Sequence, residues 1–211
     1  MKFEKNEIIK MIKIAVCLLL ITAISTALVA FVNEVTKGPI AEQRLAKVNA
    51  AMAKVLPAET YEAMDITEKG LGDIVLEVYT AKDASGNTVG HCIKTAPAGY
   101  GGAIEMITGV DTNGIVSGVD IVSMSETAGL GTKTQDAKWL AQYAGKSSDV
   151  AVITIGTPED NEVSAVTGAT ISSKAVTSGV VAAINAANQV KAAQTAEAVQ
   201  ATDANQVKGA E

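Results

Sequence analysis

From Val163 to Lys174 the chain reads Val-Ser-Ala-Val-Thr-Gly-Ala-Thr-Ile-Ser-Ser-Lys, small and hydroxyl residues placed where a strand is expected to give way to a helix. This composition suits an anion cradle. Gly168 brings the backbone close to a ligand with no Cβ in the way. A helix starting near Thr170 turns unpaired N–H groups and a partial positive charge toward whatever lies ahead of it. Thr170, Ser172 and Ser173 offer hydroxyl donors, and Lys174 offers a positive charge if the helix turns it that way. On these signals alone a plainer reading is favoured, in which Thr170 caps a helix and Thr167-Gly168 forms a tight turn.

A second set of residues is rich in glycine: Gly99-Tyr100-Gly101-Gly102, then Asn113-Gly114, then Ser125-Glu126-Thr127-Ala128-Gly129-Leu130-Gly131. Glycines in such loops let a chain wrap closely round a flat ring, with Leu130 packed on one face of it. Taken by itself, a glycine-rich strand exit is only a turn. With one histidine, His91, and two dispersed cysteines, Cys17 and Cys92, the chain lacks the usual ligands for zinc or an iron-sulfur cluster. Redox chemistry would therefore need an organic cofactor. His91 reads as a strand residue, and Met106 and Met124 as packing residues.

Thr167-Gly168-Ala169-Thr170 resembles the Ser/Thr-Gly-Ala-Thr flavinylation motif of the FMN-binding domain family. The stretch from Ser125 to Gly131 is similar to that family's Glu-Thr-Pro-Gly-Leu-Gly loop, with Ala128 at the usual proline, and Ser164 stands where the family pattern has an aspartate. The resemblance implies one FMN joined through a phosphoester to Thr170, with Thr167, Gly168 and Ala169 around the attachment. It also places Glu126 and Thr127 near the ring edge and Leu130 on its face. A threonine hydroxyl is a weak nucleophile without a base or metal, so a separate flavin transferase is implied, with FAD as donor and AMP as leaving group.

With a single apolar N-terminal helix, these motifs cover nearly everything from residue 12 to 188. That order and length resemble the G subunits of Rnf electron-transport complexes, relatives of the C subunits of the sodium-pumping NADH:quinone reductases. The resemblance implies an electron-carrying flavoprotein that is not catalytic alone. It would work beside the other subunits of a membrane complex that passes electrons from reduced ferredoxin to NAD and exports sodium ions or protons. The alternatives are an extracytoplasmic flavin sensor, a stand-alone reductase, or the quinone-reductase C subunit itself. From a different class comes a pilin-like head in which the glycines are ordinary turns.

The elements that must position these residues follow from pattern. Ile14 to Val32 is a 19-residue stretch without a charged side chain, roughly 28 Å of helix and enough for one membrane span. Lys2, Lys5, Lys10 and Lys13 precede it and only Lys37 follows closely, which predicts a cytoplasmic N-terminus over residues 1–13 and an extracytoplasmic domain in a single-pass cell-membrane protein. A cleaved signal peptide, with Ser25-Thr26-Ala27 at the cut, is disfavoured because the apolar run continues past it. Thr22, Ser25 and Thr26 are candidate positions for close helix packing in the membrane.

Beyond the span, Gly38-Pro39 is expected to break the chain before a stalk helix carrying Ile40, Leu45, Val48, Met52 and Val55. Residues 74–81 and 88–94 read as one hairpin, and 103–110 and 115–122 as a second around Asp111-Thr112-Asn113-Gly114. A helix over 134–144, a strand over 150–155 and a last helix from Ile171 to about Asn188 complete an α+β domain over 33–188. Residues 189–211, rich in Ala, Gln and Thr, have too little apolar surface to offset ordering entropy and are expected to be disordered. The net charge of −6, with no clustered Lys and Arg after the N-terminus, excludes a nucleic-acid surface.

Overall fold

The computed structural model describes residues 5–66, 70–147, 150–154 and 156–208, in two compact units, Met1–Ala46 and Lys47–Glu211. Helix α1 runs from Lys5 to Val55. Its apolar portion is long enough to cross a membrane, and its large side chains from Ile9 to Val35 are exposed. Contrary to expectation, Gly38-Pro39 does not interrupt it. Proline removes one i→i−4 bond, but Ala41, Glu42, Gln43, Arg44 and Leu45 are good helix formers and carry the helix on.

The second unit is built on a five-stranded antiparallel meander in the order β1-β2-β3-β4-β5. The strands are β1 (Thr60–Met64), β2 (Val75–Lys82), β3 (Thr88–Thr95), β4 (Glu105–Asp111) and β5 (Val116–Ser123). Both expected hairpins form, within two residues of the expected bounds. Their turns share one device. Asp83 Oδ1 accepts the N–H groups of Ser85 and Asn87, and Asp111 Oδ1 accepts those of Asn113 and Ile115, so an aspartate at the strand end fixes the reversal. The edge strand β1 has no counterpart in the sequence reading, because Thr60 and Glu62 break its apolar pattern.

Period-two alternation gives the sheet two apolar faces. Ile93, Met106 and Val110 look toward Val176, Val180 and Ile184 of α3 (Thr170–Lys208), while Ala81, Cys92 and Ile107 look toward Val48, Met52 and Val55 at the end of α1. Each buried Val, Ile or Met side chain among these is worth roughly 1.5–3 kcal/mol, so the sheet between them is held from both sides. Among the polar residues of the α3 face, His91 is buried with Nδ1 3.5 Å from Thr80 Oγ1.

Between β5 and the last helix, the expected helix over 134–144 is instead three short pieces. These are a 3₁₀ turn at Gly131–Gln135, α2 at Ala137–Leu140 and a second 3₁₀ turn at Ala141–Tyr143. Asp136 stops the first and caps the second, its side chain accepting from the Lys138 N–H at 2.9 Å. This segment braces the sheet edge. Val116 N–H donates to Lys146 O at 2.8 Å and Gly145 N–H to Val116 O at 2.9 Å, which covers part of the open edge of β5.

The segment also positions the chain ahead of α3. Trp139 Nε1 donates to Ser164 O at 2.7 Å, and Ser164 N–H donates to Gln142 Oε1 at 2.9 Å. Ser164 ends β7 (Glu162–Ser164), which pairs in parallel with β6 (Ala151–Ile153). β6 is the expected 150–155 strand in shorter form, with residue 155 outside the described residues. The buried Tyr143 hydroxyl lies 2.7 Å from Thr177 Oγ1 on α3.

At its far end, α3 runs on past Asn188, with its bounds at Thr170 and Lys208. Alanine and glutamine favour helix, and Val190 is fully buried, so one further core contact lies beyond the expected boundary.

Candidate functional site

The first turn of α3 is prepared by the residues just before it. Ala169 N–H donates to Val166 O at 2.9 Å, and Ala169 O accepts the Ser173 N–H at 2.9 Å, so Ala169 caps the helix and Thr170 is its first residue. Gly168, at φ 78°, supplies the left-handed turn that an ordinary side chain would strain. N–H groups from Thr170 to Ser172 have no acceptor inside the helix and present its positive end.

The three hydroxyls on this turn are not equivalent. Ser173 Oγ donates to Ala169 O at 2.9 Å and accepts from Val166 N–H at 3.0 Å. Ser172 Oγ donates to Glu126 Oε2 at 2.7 Å. Both are committed to holding the fold. Among the described residues the half-buried Thr170 hydroxyl has no hydrogen-bond partner, and Thr170 lies on the wall of a cavity of about 490 Å³.

That cavity is lined by Tyr100, Glu126, Thr127, Leu130, Gly131 and residues 168–172. It gathers Glu126, Thr127, Leu130, Gly168, Ala169 and Thr170 from the sequence-predicted set. Thr167 is exposed and off the wall. Lys174 lies on another depression with Val150 and Val181, so the helix does not turn its charge toward the cavity. Tyr100, Ile171 and Leu130 are 71%, 55% and 45% exposed and give the site an apolar rim. Ile171 carried no sequence signal beyond its place after Thr170.

Two of the glycines pack directly against Glu126. A Cβ on Gly99 would fall 2.2 Å from Glu126 Oε1, and one on Gly131 would fall 2.7 Å from Glu126 Oε2 and 2.8 Å from Ser172 Oγ. These two glycines therefore make room for the Glu126 carboxylate. Glu126 is only 8% exposed. Its Oε1 accepts the Gly101 N–H at 3.0 Å and its Oε2 accepts the Ser172 hydroxyl, so both oxygens are engaged within the protein.

The residues present fit FMN. The cavity volume lies within the roughly 300–1,000 Å³ of small-molecule sites, with apolar side chains for a ring system and a helix N-terminus for a phosphate. Thr170, whose hydroxyl has no partner among the described residues, lines the same cavity.

Residues 99–185 match the FMN-binding domain family, and residues 1–55 match the RnfG N-terminal region. The G subunit of the sodium-translocating ferredoxin:NAD oxidoreductase complex of Acetobacterium woodii is 37% identical over 182 residues, covering 80% of this chain and 87% of its own length. The G subunit of the ion-translocating oxidoreductase complex of Escherichia coli K12 is 35% identical, covering 80% and 86%. A crystal structure of the C subunit of the sodium-translocating NADH-quinone reductase of Parabacteroides distasonis shares the fold at a TM-score of 0.50 and 19% identity, over 64% of this chain and 78% of that one. Identity at this level, sustained over most of both chains and joined to an FMN-binding domain behind an apolar helix, places the chain in the family of G subunits of ion-translocating oxidoreductase complexes.

Proposed function

We propose that the chain holds one FMN, joined through its phosphate to Thr170 Oγ1. In that form it relays electrons within a membrane-bound ion-translocating ferredoxin:NAD oxidoreductase complex. The carrying observation is the selectivity of α3's first turn: Ser172 and Ser173 are tied into the fold, while Thr170 lines the cavity and its hydroxyl has no partner among the described residues. Bound FMN would supply reversible electron transfer, which no side chain here provides.

The chain's own part is to bind and orient. Unpaired N–H groups from Thr170 to Ser172 stabilise phosphate charge, Leu130 and Ile171 exclude water from apolar surface, and Thr127 offers a polar contact on the cavity wall. A covalent tether removes loss of the cofactor by dissociation. Attachment is assigned to a separate flavin transferase, toward which this chain presents only the hydroxyl. The lysine bias around the apolar helix supports an N-terminus in the cytoplasm and a domain on the opposite side of the membrane.

The test is Thr170→Val in the native membrane or in a host carrying the transferase. The variant should melt like the parent but lose flavin fluorescence on a denaturing gel and the FMN increment in intact mass. Unchanged flavin in the variant would overturn the assignment. Copurification with polytopic membrane proteins separates this role from that of a stand-alone reductase.

A further inference from the structure

Glu126 belongs to the loop after β5, Gly101 to the loop after β3, and Ser172 to the first turn of α3. A single carboxylate ties all three: Oε1 to the Gly101 N–H at 3.0 Å and Oε2 to the Ser172 hydroxyl at 2.7 Å. Gly99 and Gly131 are cleared on either side of it, since a Cβ at either position would overlap its oxygens. The side chain is 8% exposed. A carboxylate desolvated to this degree must be satisfied by hydrogen bonds, and charge-assisted bonds of this kind are roughly twice as strong as neutral ones.

The geometry points to Glu126 as the positioning residue for Thr170: acting through Ser172, it locks the first turn of α3 against both glycine loops and so holds the acceptor hydroxyl on the cavity wall. Ser172 lies two residues beyond Thr170, so any fraying of the turn that frees Ser172 also releases Thr170. The inference rests on the reading that Thr170 accepts FMN, and it extends that reading to a residue expected to touch the ring.

The test compares the full-length parent with Glu126→Ala, Ser172→Ala, the double variant and Glu126→Gln, each expressed with the flavin transferase. Hydrogen exchange is measured on the flavin-free chains and flavin incorporation is timed by gel fluorescence. Glu126→Ala and Ser172→Ala should each slow incorporation about tenfold or more, the scale of one lost charge-assisted hydrogen bond. Amide exchange at Ser173 and Lys174, the first amides bonded within the helix, should rise while exchange in β3 and β4 stays unchanged. The double variant should be no slower than either single, because the two residues act as a unit. Glu126→Gln should recover most of the rate, since its amide oxygen accepts from Gly101 and its amide nitrogen donates to Ser172 Oγ.

Multiplying effects in the double variant, a glutamine variant as slow as the alanine one, or unaltered exchange at the first turn would each overturn the proposal. If exchange changes as expected while even the parent carries no flavin, the positioning role stands and it is the FMN reading that fails.

Discussion

Gly131 is packed so closely against Glu126 that a Cβ on it would sit 2.7 Å from the carboxylate oxygen Oε2 and 2.8 Å from the Glu126 Cβ. The loop that looks like a flexible wrap is thus a filled space. Gly131→Ala should lower stability by about 1–3 kcal/mol, the usual cost of overpacking, read as a shift in the urea midpoint at constant slope. A variant of parental stability would show that the carboxylate has room to withdraw.

The identity of the acceptor can be probed without removing its oxygen. Thr170→Ser keeps a hydroxyl at the first helical position and should retain covalent flavin, at a reduced rate because the freed rotamer points less firmly at the cavity. Intact mass after co-expression with the transferase gives the occupancy. Complete loss in the serine variant would mean that the threonine methyl is itself required for recognition.

The end of the core lies beyond Asn188. Val190 is fully buried and belongs to the same core cluster as Ile184 and Ala187, so a chain ending at Asn188 should lose about 1.5–3 kcal/mol, the burial energy of one such side chain. A chain ending at Thr195 should melt within about 0.5 kcal/mol of the full-length protein, as expected for loss of surface residues. Equal stability of the two truncations would place the core boundary before Val190.

Alkali should unfold this domain through groups on and beside the sheet. Burial pushes the Cys92 thiol from its ordinary 9.0 up to about 12. Burial and the bond to Glu77 push Tyr79 from 10.0 up to about 12, and burial likewise raises Tyr143. Because these folded-state values are raised, the native chain keeps protons that the unfolded chain gives up. Their contribution is whole below about pH 9 and drains away as pH climbs toward 12. Denaturant titrations across that window should show falling stability, and Cys92→Ala should flatten its lower part; a slope untouched by Cys92→Ala would remove the thiol from the account.

What was readable in advance was local. The hairpins announced themselves because Asp111 and the three residues after it carry their own turn chemistry, and the place of Thr170 at the start of the last helix was legible because its motif is contiguous. The ties of Glu126 were not legible, because its partners, Gly101 and Ser172, lie 25 and 46 residues away. No window on the sequence brings those three together. The segment from Thr134 to Ala144 has helical spacing, yet Asp136 prefers to cap and so splits it. Pro39 failed as a stop because punctuation yields to strong helix formers on its far side.

The meander joins each strand to its neighbour in the chain, so the five strands of the sheet can pair as they are made, with little wandering. The cavity is different: its walls come from residues 100–131 on one side and 168–172 on the other, and the latter arrive only when the last helix docks. A chain cut short by stalled synthesis or proteolysis could assemble the sheet and still lack an acceptor. Loading with flavin would then certify, molecule by molecule, that synthesis reached the final helix and that the helix found its place.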